Sequence, residues 1–267
     1  MKRAGEGPVP SIRGDLHPAR ISALLRSKHF GRCIVLFERI ASTNTAAAAA
    51  AEAGFPEGSL FLAEEQTAGR GREGRCWSSI AGKSLVFSII LRPGSACEGL
   101  TMLFALGALE ALGIYKTGCM IKWPNDLYLG GKKAAGILAE RRGEHVVMGL
   151  GLNVNETPLE LEGIDRAATS LMIETGTMQD RGAVLARTLE NFERLYGRWR
   201  RDGLAVFVEA IEERLLYRGE EVIVNGGRGT VRGSFRGITD EGYLRLAVGN
   251  EERICTAGDL SLRGENG

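Results

Sequence analysis

The chain has 267 residues, of which 44% are hydrophobic and 25% are charged, and its 34 basic and 33 acidic residues give a net charge of +1. This is the composition of a globular protein of one or two domains, and a chain so close to neutrality is not a general binder of polyanions. The longest stretch without a charged residue, 40–51, is short of the roughly 20 apolar residues that a membrane-spanning helix needs, so we expect no membrane association.

The first twenty residues are rich in glycine and proline and contain no apolar segment of a secretory signal. The five cysteines are an odd number, are widely spaced and include no CxxC pair. This usage favours reduced thiols and predicts a cytoplasmic protein. The three histidines do not cluster with the cysteines, so no zinc site is expected.

The pattern of apolar residues predicts an α+β fold after an N-terminal extension. Residues 1–30 form this extension, with a mobile Gly/Pro-rich stretch up to Gly14 and, after Pro18, one helix that reaches about residue 29. The predicted strands are 34–40, 60–63, 84–91, 120–123, 127–129, 134–141 and 146–154. The predicted helices are 43–53, 100–112, 181–201 and 204–215. The short turns between the later strands favour a mixed or largely antiparallel sheet flanked by helices.

The sequence changes character from Gly219 onward, where no helical periodicity remains. Short apolar stretches alternate with turn residues and predict strands at 222–224, 230–235, 243–248 and 253–256. About fifty residues of this kind are typical of a small β-barrel or sandwich. We therefore divide the chain into the extension 1–30, a catalytic domain 31–217 and a C-terminal β domain 218–267.

A glycine-rich segment between two predicted strands does not match either common nucleotide-binding motif. Residues 69–74 read G-x-G-x-x-G, but no helix follows and no acidic residue lies near position 90, as a dinucleotide site requires. A P-loop ending at Ser84 would need a glycine where Trp77 stands. What remains is a flexible loop in which Arg70, Arg72 and Arg75 alternate with glycine. Such a loop suits a carboxylate or phosphate ligand. The alternative interpretations are a solvated basic loop and a nucleic-acid patch.

A second group of polar residues lies in a predicted hairpin at 122–133. Asp126 is a good turn residue and is also a plausible Mg²⁺ ligand beside nucleotide phosphates. Lys122 and Lys133 flank the hairpin next to apolar residues, where an ammonium group could stabilise charge on a transferring group. Ordinary hairpin lysines remain the alternative.

Five short sequences occur in one order along the chain. They are Ser42-Thr43-Asn44, QTAGRGREGRCW at 66–77, KWPND at 122–126, KAAGIL at 133–138 and GLGLNVN at 149–155. Together they closely resemble the biotin protein ligases. The resemblance implies a class II synthetase-like biotin–lipoyl ligase fold, followed by an SH3-like β-barrel.

The resemblance also implies an activity and its residues. Enzymes of this family form biotinyl-5′-AMP from biotin and ATP with Mg²⁺, and then transfer biotin to a lysine of a biotin carboxyl carrier domain, such as that of acetyl-CoA carboxylase. The implied biotin site consists of Ser42, Thr43, Asn44, Gln66, Arg70, Gly71, Arg72 and Lys133. The implied ATP and adenylate site consists of Arg70, Arg72, Arg75, Trp77, Lys122 and Asn153. The expected catalytic residues are Lys133, which orients the biotin carboxylate, Arg72, and Asp126, which also serves as the candidate Mg²⁺ ligand and as a base toward the acceptor lysine.

Some members of this family carry an N-terminal DNA-binding domain of about sixty residues. Only some thirty residues precede the first core strand here, so we expect the form without this domain and no DNA partner. Relatives often form homodimers, so a homodimer is a possible oligomeric state for this chain. Two other functions also remain open: a lipoyl or octanoyl ligase or transferase of the same fold, and a non-catalytic biotin- or nucleotide-binding module.

Overall fold

The computed structural model describes residues 14–94, 97–162, 167–227 and 229–262. The α-helices in this described part are α1 (Pro18–Leu24), α2 (Thr43–Glu52), α3 (Leu100–Leu112), α4 (Leu171–Thr175), α5 (Arg181–Asp202) and α6 (Val208–Glu212). None of them is long and apolar enough to cross a membrane.

A seven-stranded sheet forms the centre of the first part of the chain. Its strands are β1 (Ile34–Ile40), β2 (Leu60–Gln66), β3 (Ser84–Leu91), β4 (Met120–Lys122), β5 (Asp126–Leu129), β6 (Lys132–Arg142) and β7 (His145–Asn153). They lie in the order β1-β2-β3-β7-β6-β5-β4. β1 and β2 are parallel and are joined through α2, whereas the other neighbours are antiparallel. The predicted mixed sheet flanked by helices is confirmed.

The core of this part lies on both faces of the interior strand β3. All eight residues of β3 are buried, which explains their nearly continuous apolar sequence. Phe87 joins the larger core under α3 and α5, and Phe104 and Phe192 of those helices lie 4.6 Å apart between ring centroids. Ile90 points to the other face and packs with Ala47 of α2. The small side chains of α2 therefore cover the face of the sheet that α3 and α5 leave open.

Residues 14–30 pack against α5 and contribute to the main core through Leu16, Ile21, Leu25 and Phe30. The prediction of a helix reaching residue 29 is wrong, because α1 ends at Leu24. Beyond that point the backbone N–H groups donate to carboxylates of α5 instead of continuing the helix. Glu190 accepts from residue 26, and Glu193 accepts from residues 28, 29 and 30. The stretch predicted to be mobile, up to Gly14, lies almost wholly outside the described residues.

A buried arginine fixes the start of the N-terminal segment, residues 14–30. Arg181, the first residue of α5, has a side chain that is only 3% exposed and pairs with both Asp15 and Glu64. Its guanidinium also donates to the Ser84 carbonyl. Burial lowers the pKa of Arg181, but the hydrogen bonds and charges of the two carboxylates outweigh it and raise that pKa overall. The N-terminal segment is thereby tied to β2 and β3.

The prediction of one helix over 204–215 is also wrong. The structure contains a 3-10 turn (Ala205–Phe207) and the short α6, which is followed by turns on either side of Leu215. Leu215 forms a parallel bridge with Ile121 of the edge strand β4. Pairing with this edge satisfies backbone groups of β4 that a continued helix would leave without partners.

The C-terminal part is all β, as the turn-rich sequence predicts, and forms an antiparallel five-stranded sheet. Its strands are β8 (Glu221–Gly226), β9 (Gly229–Ile238), β10 (Leu244–Val248), β11 (Glu251–Cys255) and β12 (Asp259–Leu262), in the order β11-β10-β9-β8-β12. β12 is a strand that the sequence analysis missed. The division at residues 217 and 218 stays a prediction, although the first sheet ends before it and the second begins after it.

Candidate functional site

A cavity of about 630 Å³ lies where β2 ends and α2 begins, beside β5, β6 and β7 and under the glycine-rich loop. The predicted site residues that line it are Ser42, Thr43, Asn44, Gln66, Arg70, Gly71, Arg72, Arg75, Trp77, Asp126, Lys133 and Asn153. Side chains separated by more than a hundred residues in the chain thus meet around one space. The apolar part of its wall is formed by Phe87, Ile137, Leu138 and Leu150.

The first turn of α2 forms the polar end of the cavity. Ser42 occupies the cap position of this helix but makes no side-chain capping bond. Instead the Gln66 side-chain oxygen accepts from Thr43 N at 2.8 Å and from Thr43 Oγ1 at 3.0 Å. Gln66 is available for this because β2 extends to it, three residues beyond the predicted end.

Ser88 supports this end of the cavity and was missed by the sequence analysis. It is fully buried in β3, and its Oγ lies 2.7 Å from Thr43 Oγ1 and 2.6 Å from Asn44 Oδ1. A hydroxyl in this position orients both side chains toward the cavity. The available signal was a serine in the middle of a buried strand whose neighbouring residues are apolar.

Glycines of β7 make room for two of the predicted site residues. A Cβ at Gly149 would lie 2.1 Å from Asn44 Oδ1, and one at Gly151 would lie 2.2 Å from Trp77 Cε2. The Trp77 indole therefore lies directly on the backbone of β7. Its Nε1 is buried without a hydrogen-bond partner in the described part of the chain. Asn153, at the end of β7, donates to the Thr169 carbonyl at 3.0 Å.

The glycine-rich loop folds back on itself across the mouth of the cavity. Gly71 N donates to the Arg75 carbonyl at 2.7 Å, and Trp77 N donates to the Gly69 carbonyl at 2.9 Å. A 3-10 turn (Arg72–Gly74) forms its tip. The three arginines consequently project from a short hairpin-like structure rather than from an extended chain.

Two of these arginines contact the C-terminal sheet. Arg75 pairs with Asp259 at 2.9 Å, and Arg72 Nη1 lies 3.3 Å from the Gly258 carbonyl and 3.3 Å from Asn125 Oδ1. Burial lowers the pKa of Arg75, but the hydrogen bond and charge of Asp259 more than compensate, so this pKa is raised and the group stays cationic. The loop is thereby held between the two sheets.

A lysine and an aspartate on neighbouring strands face the cavity together. Lys133 Nζ lies 2.8 Å from Asp126 Oδ1 and 6.0 Å from the centre of the Trp77 ring. The backbone of Lys133 pairs with Ala167 and Thr169, which fixes its position. An ammonium group held by a carboxylate and open to the cavity can receive an anionic ligand.

Lys122 does not line the cavity. It is 6% exposed, and its Nζ lies 5.4 Å from the centre of the Tyr128 ring and 5.6 Å from that of Tyr217. Its predicted contact with the nucleotide remains a prediction. Asp126 is the one carboxylate among the described cavity residues, and no group of three or more acidic, histidine or cysteine side chains in the described ranges could hold a metal ion.

Comparison with known proteins places this architecture among ligases. Residues 36–153 match the biotin/lipoate A/B protein ligase family, and residues 218–263 match the biotin protein ligase C terminal domain. The chain is 34% identical to the bifunctional ligase/repressor BirA of Bacillus subtilis, over 93% of this chain and 80% of that protein. It is also 34% identical to the biotin--[acetyl-CoA-carboxylase] ligase of Mycobacterium tuberculosis, over 93% of this chain and 97% of that one.

A solved structure shows the same fold. The biotin protein ligase from Aquifex aeolicus, in complex with biotin and ATP, aligns with a TM-score of 0.77 and 31% identity, covering 87% of this chain and 99% of that one. The chain belongs to the biotin protein ligase family.

Proposed function

We propose that this protein activates biotin with ATP and attaches it to a lysine of a biotin carboxyl carrier domain. The observation that carries the proposal is the cavity itself, which combines neutral polar groups, an apolar wall and the Lys133–Asp126 pair under a loop of arginines. The similarity to a ligase structure in complex with biotin and ATP supports the identity of the two substrates.

The cavity matches the parts of biotin one by one. The hydroxyl and amide groups of Ser42, Thr43 and Gln66 suit the uncharged ureido ring, because each can donate or accept a hydrogen bond. The apolar wall suits the sulfur ring and the aliphatic chain. Lys133 would hold the carboxylate at the other end, in agreement with its position beside Asp126.

In the first step a biotin carboxylate oxygen attacks the α-phosphorus of ATP. A new C–O–P linkage forms, and the bond to pyrophosphate breaks. Both reactants are anionic, so Lys133, Arg72 and Arg75 would lower their repulsion and align them. Mg²⁺ would arrive as part of the Mg–ATP substrate and be held chiefly by the phosphates, because Asp126 is the single carboxylate among the described cavity residues.

In the second step the neutral amine of the carrier lysine attacks the biotinyl carbonyl, an amide bond forms and AMP leaves. The amine must lose a proton, and Asp126 is the group proposed to take it. Biotinyl-5′-AMP reacts with water, so the loop across the cavity would also protect it.

The function is tested by labelling a purified carrier domain with biotin and Mg–ATP. We expect labelling that requires both biotin and ATP. The rate of labelling should fall about 100-fold in Lys133→Ala and in Arg72→Ala, because each substitution removes a cation that stabilises the transition state. The exposed neighbour Lys132 provides the matched control, and Lys132→Ala should label as wild type does. Absence of both labelling and biotin-dependent ATP–pyrophosphate exchange would contradict the function. Lipoate and octanoate are the next substrates to test, followed by a non-catalytic binding role.

The base role of Asp126 has a separate test. Single-turnover transfer from preformed biotinyl-5′-AMP should slow by about 100-fold in Asp126→Ala, because general-base assistance of this kind contributes roughly that factor. Transfer at the wild-type rate would show that Asp126 is not the base. Sedimentation analysis with and without biotin and ATP tests the homodimer, which stays a prediction.

A further inference from the structure

A single carboxylate oxygen joins the polar end of the cavity to the glycine-rich loop. Glu140 lies on β6 outside the cavity wall, and its Oε2 accepts from Asn44 Nδ2 at 2.9 Å. The same oxygen also accepts from the guanidinium of Arg70. Asn44 and Arg70 both line the cavity, so Glu140 connects two parts of the site without lining the cavity itself.

The Asn44 end of this connection is rigid. Asn44 is 4% exposed, its Oδ1 lies 2.6 Å from Ser88 Oγ, and its Nδ2 also donates to the Leu138 carbonyl at 3.3 Å. The amide lies beside the backbone of Gly149, where an added Cβ would collide with it. Glu140 is therefore anchored through a side chain that the sheet and α2 hold in place.

The Arg70 end belongs to the loop. The Arg70 side chain is 43% exposed, and its residue forms an isolated bridge with Cys76 near the base of the loop. A charge-assisted hydrogen bond from this arginine to an anchored carboxylate restricts the base of the loop before any ligand enters.

We propose that Glu140 is a positioning residue that fastens the glycine-rich loop, through Arg70, to the biotin end of the cavity. The identity of the ligand rests on the proposed function, but the fastening of the loop does not. Without the Glu140 charge, the loop samples open positions more often, and binding of biotin must provide the ordering. Because the pair is partly exposed, the expected effects are moderate, about 3- to 10-fold.

The first test needs no ligand. Arg70, Arg72 and Arg75 are trypsin sites within the loop, so cleavage there reports how often the loop opens. In Glu140→Gln the amide oxygen can still accept from Asn44, but the ion pair with Arg70 is lost. We expect loop cleavage, followed by mass spectrometry of the fragments, to accelerate about 3- to 10-fold relative to wild type.

Arg142→Gln is the matched control. Arg142 Nη2 lies 3.7 Å from Glu140 Oε1, and its side chain is 52% exposed at the end of the same strand. The substitution Arg142→Gln removes a second cation near Glu140 and leaves the link between Glu140 and Arg70 intact. Cleavage at the wild-type rate in Arg142→Gln, together with acceleration in Glu140→Gln, supports the proposal. Equal rates in all three proteins would overturn it.

The second test separates positioning from a merely structural role. In Glu140→Gln we expect the KM for biotin to rise about 3- to 10-fold and the KM for ATP to rise less, with kcat unchanged, because Glu140 is anchored to Asn44 at the biotin end. A lower KM for biotin would show that Glu140 holds Arg70 away from the ligand, and would overturn the proposal. An equal rise in the KM for biotin and in the KM for ATP would also overturn the proposal.

A second variant guards against a folding defect. Arg70→Gln removes the same ion pair from the other side, and cleavage at Arg72 and Arg75 still reports the loop. It should accelerate that cleavage as Glu140→Gln does, and the double variant should add nothing further. Failure of the proposed function would give a different result. Biotin would then neither slow cleavage of the loop nor be activated by ATP, whereas Glu140→Gln and Arg70→Gln would still accelerate cleavage. In that case the fastening of the loop would stand and the proposed function would not.

Discussion

Asn44 lies so close to β7 that the strand has space only for glycine at position 149. A Cβ there would lie 2.1 Å from Asn44 Oδ1. We expect Gly149→Ala to displace this amide and to raise the KM for biotin about 10- to 100-fold, because small displacements of positioning groups are costly. Steady-state kinetics checks this.

The matched substitution is Gly197→Ala in α5, where a Cβ would meet nothing within 4 Å. It should leave biotin kinetics unchanged and stabilise the protein by up to about 1 kcal/mol through helix propensity. Unchanged biotin kinetics in Gly149→Ala would show that Asn44 does not contribute to ligand binding.

At the level of single residues, the sequence predicts groups that contact a ligand better than groups that support them. Lys133, Asp126 and Arg72 belong to recognisable short motifs, and all three line the cavity. Ser88 and Glu140 act through Asn44 and Arg70, which are distant in the chain, so no local spacing indicates them. Lys122 shows the opposite case, since its motif is clear but its side chain packs between aromatic rings outside the cavity lining.

Among the elements, the glycine-rich loop depends on the C-terminal sheet for its position. Asp259, at the start of β12, pairs with Arg75. We expect Asp259→Asn to raise the KM for ATP several-fold, because the loop loses a charged contact that holds the predicted nucleotide residues in place. The KM for biotin should change less, and initial-rate measurements with each substrate varied distinguish the two.

A pair of similar chemistry in the same sheet provides the control for Asp259. Arg245 and Glu252 pair at 2.9 Å and are about half exposed, away from the loop. Glu252→Gln should therefore have no effect on either KM, since exposed pairs of this kind contribute little. Equal kinetics in Asp259→Asn and Glu252→Gln would contradict a role for the contact with Arg75.

The errors in predicting elements have a common cause. α1 ends early because carboxylates of α5 take its next N–H groups, and the helix predicted over 204–215 gives way to pairing with β4. β12 was missed because it has only two apolar residues, Leu260 and Leu262, and its pairing with β8 is not visible in the local sequence. Each outcome depends on a partner far away in the chain, whereas strands and helices with a strong internal pattern were predicted correctly.

At the scale of the whole molecule, the main core of the described residues is continuous across both sheets. Phe87 of the first sheet and Phe235 and Leu244 of the second belong to the same cluster of buried side chains. Trp123 also donates from its indole to the Gly242 carbonyl at 3.0 Å. We expect the protein to unfold in one calorimetric transition, even though the sequence predicts two domains.

Leu244→Ala provides the critical comparison for this expectation. The substitution removes a fully buried side chain from the C-terminal sheet and should cost about 2–5 kcal/mol. If the two sheets unfold together, the whole transition shifts to lower temperature. Appearance of a separate early transition would show that the C-terminal sheet unfolds independently.

The position of Trp77 gives the protein an optical signal of its own. The chain has three tryptophans, and Trp123 and Trp199 are nearly fully buried in the core, at 2% and 5% exposure. Trp77 alone among them lines the cavity, with its ring on the glycine backbone of β7. A molecule entering the cavity changes the polarity around this indole, so the intrinsic fluorescence of the unlabelled protein should follow occupancy in real time.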